Sequence, residues 1–156
     1  YILFCPMKNP LLRRAKLKDI PEIFKIEKEV FPDPWSFYSF LFELKNPDNY
    51  FYVIEIEKKV IGYIIAGEYE ESYHLKNIAI KGECQGKGYG KFLLNNLIEK
   101  AKKEGKKYIF LEVRAKNERA IKFYEKYGFK RNRLLKGYYG YKEDGYEYVL
   151  ELEESK

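Results

Sequence analysis

The segment that most restricts the fold of this chain runs from Tyr73 to Ala101. A β-branched and aromatic run, Tyr73 to Ile80, leads into Gln85-Gly-Lys-Gly-Tyr-Gly90. Leu93, Leu94, Leu97, Ile98 and Ala101 then recur at helical spacing. A strand that passes through glycines into an amphipathic helix is half of a crossover, so part of the sheet is expected to be parallel. Glycines at such a junction let backbone N–H groups face a ligand without Cβ obstruction. The first turn of the helix adds unpaired donors and a partial positive charge. The loop is therefore a candidate phosphate cradle, with Lys87 and Lys91 at its rim.

Two common phosphate loops are excluded by the residues themselves. A P-loop needs Gly-Lys-Ser/Thr, but Gly90-Lys91 is followed by Phe92. A dinucleotide fingerprint needs a glycine at its sixth position; counting from Gly86 that position is Lys91, and from Gly88 it is Leu93.

The remaining elements follow from local chemistry. Leu11–Arg14 reads as a short strand. Asp19-Ile-Pro-Glu22 reads as a helix start, with Asp19 as N-cap and Pro21 in the first turn, and the helix is expected to reach about Val30. Phe31-Pro-Asp-Pro-Trp35 breaks it, because a proline disfavours a helical residue before it. Ser36 caps a second helix to about Leu44. Tyr50–Glu57 and Val60–Glu68 form a hairpin around Lys58-Lys59, and Tyr73–Ile80 is a third strand. Gly105 closes the helix that follows the glycine loop. Tyr108–Arg114 is a strand, and Asn117 caps a helix whose apolar stripe is Ala120, Ile121, Tyr124 and Tyr127, stopped by Gly128. Phe129–Leu135 and Tyr146–Leu152 are the last strands. The order β-α-α-β-β-β-α-β-α-β-β implies a three-layer α/β domain with a central mixed, partly parallel β-sheet flanked by helices. Residues 11–153 are expected to form this domain, preceded by an extension at 1–10.

Composition sets outer bounds. The chain has 156 residues, 46% hydrophobic and 35% charged, which fits one globular domain with its own core. A net charge of +6 suits an anionic ligand or a ribosomal partner, and equally a solvated Lys-rich surface; nothing requires direct nucleic-acid binding. Cys5 and Cys84 lie far apart and His74 is the only histidine, so neither a disulfide framework nor a metal site is expected. No apolar run approaches the ~18–20 residues of a membrane span, and the apolar start, Tyr1 to Pro6, is too short for a signal peptide. A cytoplasmic location, no membrane contact, and a monomer or weak dimer are the expectations.

The strand end Asn77-Ile-Ala-Ile80 with Gln85-x-x-Gly88-x-Gly90 resembles motif A of the GNAT superfamily of N-acetyltransferases. Downstream, Leu111-Glu-Val-Arg114, Asn117, Ala120-Ile121 and Tyr124-Glu-Lys-Tyr-Gly-Phe129 resemble motif B, about 25 residues on. The resemblance spans roughly residues 11–152. It is nearest to the N-terminal acetyltransferases that modify ribosomal proteins and other N-termini. Leu135-Lys-Gly-Tyr-Tyr-Gly-Tyr-Lys-Glu-Asp144 and Phe31-Pro-Asp-Pro-Trp-Ser36 are similar to loops of that group. It implies acetyl-coenzyme A as cofactor, protein N-terminal peptides as partners with ribosomal proteins among them, and direct attack within a ternary complex.

The same resemblance assigns residues. Ile78, Ala79, Ile80, Gln85, Gly86, Lys87, Gly88, Tyr89, Gly90 and Lys91 would hold the coenzyme, with Asn117 and Tyr124 along its arm. Glu112 would be the general base, and the competing reading is an outward carboxylate paired with Arg114 or a Lys. Tyr124 would protonate the leaving thiolate, a phenol near pKa 10 being matched to that task; the alternative is core packing. His74 is a second candidate base, its near-neutral pKa suiting amine deprotonation, against a structural histidine. Asp33, where relatives place a Glu, is a third, against a solvated turn. Phe31 and Trp35 would line one wall of a peptide groove and Tyr138 and Tyr139 the other, against plain aromatic packing.

The base need only be modest for an N-terminal amine, whose pKa is about 7.7–8.0 against about 10.4 for Lys, a difference of roughly 3.5 kcal/mol in deprotonation cost. A small-molecule amine or a Lys side chain is the alternative acceptor. A noncatalytic, ribosome-associated coenzyme A-binding module is the reading from another class.

Overall fold

The computed structural model describes residues 9–153. The extension expected at 1–10 therefore lies mostly outside the described residues, as does Cys5. In chain order the elements are β1 (Leu11–Arg14), α1 (Ile20–Val30), α2 (Phe37–Lys45), β2 (Tyr50–Ile56), β3 (Lys59–Glu68), β4 (Ser72–Ile80), α3 (Tyr89–Lys103), β5 (Tyr108–Arg114), α4 (Glu118–Lys126), β6 (Lys130–Leu135) and β7 (Gly145–Glu151). Short 3-10 turns occupy Leu17–Asp19 and Gly82–Cys84. The strands form one mixed sheet in the order β1-β2-β3-β4-β5-β7-β6, flanked by helices.

The chain separates into two compact units, with β4 and α3 each passing from one to the other: residues 9–68 with 77–97, and residues 69–76 with 98–153. In the first, β1, β2 and β3 pair antiparallel. The β2–β3 turn places Glu57 and Lys58 at positive φ, 52° and 67°. Two such residues in a two-residue loop match the right-handed twist of the strands they join. α1 buries Ile20, Ile23 and Ile26 against Phe40 of α2 and Phe51, Val53, Tyr63 and Ile65 of the sheet. Each fully buried side chain of this size contributes about 1.5–3 kcal/mol of transfer free energy.

One local expectation is corrected. Asp19 precedes α1, but its side chain does not cap the helix. Its carboxylate takes a two-pronged ion pair from Arg13, at 2.8 and 2.9 Å, and accepts from the Lys16 backbone N–H at 2.7 Å. A guanidinium that offers two parallel donors outcompetes a single helix N–H for the same oxygens. Ser36 and Asn117 do cap: their side chains accept from the N–H groups of Ser39 and Ala120.

In the second unit β4 and β5 are parallel over three residue pairs, Ser72–Tyr108 to His74–Phe110. β5 pairs antiparallel with β7, and β7 with β6. Along β5, Ile109, Leu111 and Val113 are buried, while Tyr108, Phe110, Glu112 and Arg114 are half-exposed on the opposite face. The period-2 alternation of a strand thus delivers Glu112 to an accessible surface from within a well-packed ladder.

Candidate active site

The glycine loop follows β4 in the first unit. Gln85 folds back to donate its side-chain N–H to the Ile80 carbonyl at 2.9 Å, which closes the loop on the strand that leads into it. Glu29 of α1 accepts from the Gly82 N–H at 2.8 Å and fixes the turn before it. Gly86 and Gly88 have φ of 79° and 89°, in the left-handed region that favours glycine. A Cβ built on either would meet nothing within 4 Å. The backbone there faces open space, immediately before the first turn of α3 at Tyr89. These glycines, the exposed helix N-terminus and the rim lysines Lys87 and Lys91 fit a pyrophosphate group of the kind coenzyme A carries.

In the second unit the accessible face of β5 carries the titratable groups. His74 Nε2 lies 2.6 Å from Glu112 Oε1, and the His74 ring stacks flat on Phe110 with centroids 4.5 Å apart. His74 is thus the last β4 residue in the parallel ladder, and it reaches across to the residue two places beyond its partner Phe110. In the tautomer that carries its hydrogen on Nε2, His74 donates to Glu112. Arg114, on the same face of β5, faces Glu143 at 3.8 Å.

Glu112 stands opposite Glu147 in the β5–β7 ladder. Partial burial pulls the Glu147 pKa upward, but hydrogen bonds from Asn132 (2.7 Å) and Arg133 (3.3 Å), with the charges of Arg133 and His74, hold it below the usual carboxylate value. Glu147 is an ionised neighbour whose oxygens are already engaged. Beyond it a cavity of about 340 Å³ is lined by Tyr108, Phe110, Asn132, Glu147, Val149 and Glu151.

Tyr138 and Tyr139 meet edge to face, with centroids 4.9 Å apart. Tyr139 packs where Gly145 has no side chain, since a Cβ there would come within 2.7 Å of its ring. Arg114 lies over the same ring at 4.4 Å. Burial, then the neighbouring Tyr138 and Glu112, push the Tyr139 hydroxyl up to about 12, against the opposing pull of Arg114. Burial and the charge of Glu112 also raise Tyr138. Both rings therefore sit within the field of Glu112.

Tyr124 lies on the buried stripe of α4, packed edge-on against Phe129 with centroids 5.5 Å apart. Burial, and secondarily Tyr139, push its hydroxyl well above the ordinary phenol value. Burial therefore keeps it protonated and makes it a weaker acid than a free phenol. Asn117, about two turns earlier, caps the helix with Oδ1 3.1 Å from the Ala120 N–H.

The proline loop between α1 and α2 belongs to the first unit. Phe31 and Trp35 are half-buried against its core, and Asp33 is exposed. Trp35 packs on Phe40 with centroids 5.3 Å apart. A group that the sequence reading missed lies beneath this loop. Glu27 of α1 is 2% exposed and accepts from Tyr63, from Asn77 at 2.8 Å and from the Trp35 backbone N–H at 2.9 Å. The available signal was its position: Glu27 follows Ile23 by four residues, so it sits on the apolar stripe of the helix.

Residues 20–129 match the acetyltransferase (GNAT) family. The chain is 33% identical over 148 residues to an N-alpha-acetyltransferase of Saccharolobus solfataricus, covering 86% of this chain and 89% of that one. It is 36% identical over 132 residues to the [ribosomal protein bS18]-alanine N-acetyltransferase of Haemophilus influenzae, covering 83% and 87%. Among solved structures, the ribosomal-protein-S18-alanine N-acetyltransferase of Escherichia coli superposes with a TM-score of 0.87 at 26% identity, covering 95% of this chain and 97% of that one. The chain belongs to the GNAT family and is an acetyl-coenzyme A-dependent N-acetyltransferase.

Proposed function

We propose that the chain acetylates the α-amino group of protein N-termini, ribosomal proteins among them, by direct transfer between two bound substrates. The observation that carries this reading is the His74–Glu112 pair at 2.6 Å on the accessible face of β5, within the field that also reaches Tyr138 and Tyr139. Similarity to enzymes named for N-alpha and bS18-alanine acetylation supports the same acceptor.

The roles divide between the two units. The backbone of Ile78 to Ile80 and of the glycine loop holds the coenzyme, and Asn117 supports its arm. The bound acetyl thioester supplies an activated acyl carbon. Glu112 and His74 take the proton from the incoming ammonium, directly or through one water. The α-ammonium loses its proton near pH 8, so this pair need not overcome the roughly 3.5 kcal/mol that a Lys would add. Tyr124, kept protonated by burial, returns a proton to the departing sulfur. Tyr138 and Tyr139 in one unit, and Phe31, Asp33 and Trp35 in the other, are the residues assigned to peptide recognition. Direct attack needs no protein nucleophile, so Cys84 has no part in the reaction.

The test is acetyl transfer from acetyl-coenzyme A to a panel of free Ala, Ser, Met-Leu and Met-Glu N-termini, N-terminally blocked Lys peptides and polyamines. Reaction at free N-termini alone supports the proposal. Reaction only at Lys side chains or polyamines overturns the acceptor while leaving family and cofactor intact. Gly88→Glu should weaken acetyl-coenzyme A binding by about a hundredfold or more, because it sets a carboxylate at the candidate phosphate cradle and a side chain at φ of 89°. Titration calorimetry with coenzyme A checks it.

A further inference from the structure

We infer that Glu27 is a positioning residue for peptide recognition: its buried carboxylate holds the proline loop, Phe31 to Trp35, in the shape that receives the N-terminal residues of the substrate. The inference rests on the proposed N-terminal acceptor and on that loop as one wall of its groove.

Glu27 holds both ends of this loop. It leaves α1 at Phe31, whose N–H still bonds the Glu27 carbonyl at 2.9 Å, and it enters α2 through the Ser36 cap. Between these points Pro32 and Pro34 have no N–H to donate. The Trp35 N–H donates to Glu27 Oε2 at 2.9 Å. One residue thus ties down the loop twice, by its carbonyl at one end and its carboxylate at the other.

The other oxygen is fixed from below. Glu27 Oε1 accepts from the Tyr63 hydroxyl on β3 and from the Asn77 side-chain amide on β4. Burial, followed by the charge of Glu27, pushes the Tyr63 hydroxyl far above its ordinary value, so it serves as a donor. All three partners are donors, and only a carboxylate offers two acceptor atoms and no hydrogen of its own. A buried charge with three charge-assisted hydrogen bonds is stable where an unpaired one would not be. The side chains of the loop complete the linkage, because Trp35 stacks on Phe40 and Phe40 meets Tyr63 edge-on with centroids 5.6 Å apart. The carboxylate therefore sets the backbone of Trp35 relative to the same sheet residue that seats its ring.

Trp35 is the only tryptophan, so its fluorescence reports the loop without reference to activity. The experiment compares Glu27→Gln and Glu27→Ala with Tyr63→Phe, which deletes one buried donor and keeps both the Trp35 bond and the ring contact. Acrylamide quenching of Trp35 is measured on each folded protein, followed by KM for the best peptide of the panel and KM for acetyl-coenzyme A. Both Glu27 variants should at least double the quenching constant. They should raise peptide KM, by about tenfold in the alanine variant, the size of one lost charge-assisted hydrogen bond. KM for acetyl-coenzyme A should stay within about twofold, and Tyr63→Phe should leave quenching and peptide KM unchanged even where its melting temperature falls.

If Glu27→Ala does not fold, the isosteric Glu27→Gln is read alone. Unchanged quenching in the folded variants overturns the inference, and so does a loosened Trp35 with unchanged peptide KM. A Tyr63→Phe protein as impaired in peptide KM as the Glu27 variants assigns Glu27 to general packing and overturns it as well. If the unsubstituted chain acetylates no peptide, the functional reading has failed, and quenching then decides by itself whether Glu27 holds the loop.

Discussion

Glu27 and Glu112 are the same side chain in opposite settings, and the proposed roles follow the settings. Glu27 is 2% exposed, with three donors spread over its two oxygens. Glu112 is 17% exposed, paired with one histidine at 2.6 Å, and stands across the ladder from a second carboxylate. A carboxylate buried under three protein donors is shut off from an outside proton, and it serves as scaffold. One with a single soft partner and access to solvent keeps an oxygen for the substrate. Neither residue type nor depth alone singles out a candidate general base; the number of protein donors already on the carboxylate separates the two.

The strongest way to break the contrast is to remove both charges without changing shape. Glu112→Gln should lower kcat for peptide acetylation by about a hundredfold or more, within the usual range for a general base. Its thermal midpoint should move by no more than about 2 °C. Glu27→Gln should show the reverse balance, with kcat nearly retained and peptide KM raised. If Glu112→Gln keeps its rate, the comparison collapses, and calorimetric melting alongside steady-state kinetics decides it.

A smaller effect is expected from His74→Gln, which leaves Glu112 ionisable but strips its partner. A loss of about tenfold in kcat would mark His74 as an aid to the carboxylate. A loss as large as that of Glu112→Gln would instead mark the pair as one inseparable unit. The smallest effect is on stability in alkali. The folded state raises the Tyr139 hydroxyl to about 12, against about 10 in an unfolded chain, through burial first and then through Tyr138 and Glu112. A raised pKa favours the protonated phenol, so its stabilising contribution is complete below about pH 10 and disappears as pH rises through about 12. Denaturation midpoints between pH 9 and 12 should therefore fall less in Tyr139→Phe than in the unsubstituted protein.

Much of the frame was legible because it is local. Ser36 and Asn117 each accept from the N–H three residues on, and Gly105 and Gly128 end their helices at positive φ. Strand β5 falls on Tyr108–Arg114 because its alternation is regular. Asp19 was misread as a cap for an equally physical reason: the sequence shows a helix start but not the Arg13 fork that claims the same oxygens.

The candidate site divides the same way. Glu112, His74 and Tyr124 stand out through a resemblance, but the pairing of His74 with Glu112 does not, and Glu27 does not stand out at all. His74 and Glu112 are 38 residues apart, Glu27 and Asn77 are 50 apart, and no spacing rule connects them. The resemblance marks Tyr139 as a groove residue but not its seat: Gly145 leaves the space that its ring fills.

The short parallel ladder of β4 and β5 carries a consequence for how the chain acquires its activity. The β2–β3 hairpin closes over two residues and belongs to the fast class of folding events, on the order of microseconds. The pairing that brings His74 to Glu112 must instead close a loop containing the whole of α3, and such long-range contacts form late because their entropy is lost before their contacts repay it. A newly made chain thus acquires its hairpin before its chemistry. Regained acetyl transfer, more than regained secondary structure, is the mark of a finished molecule.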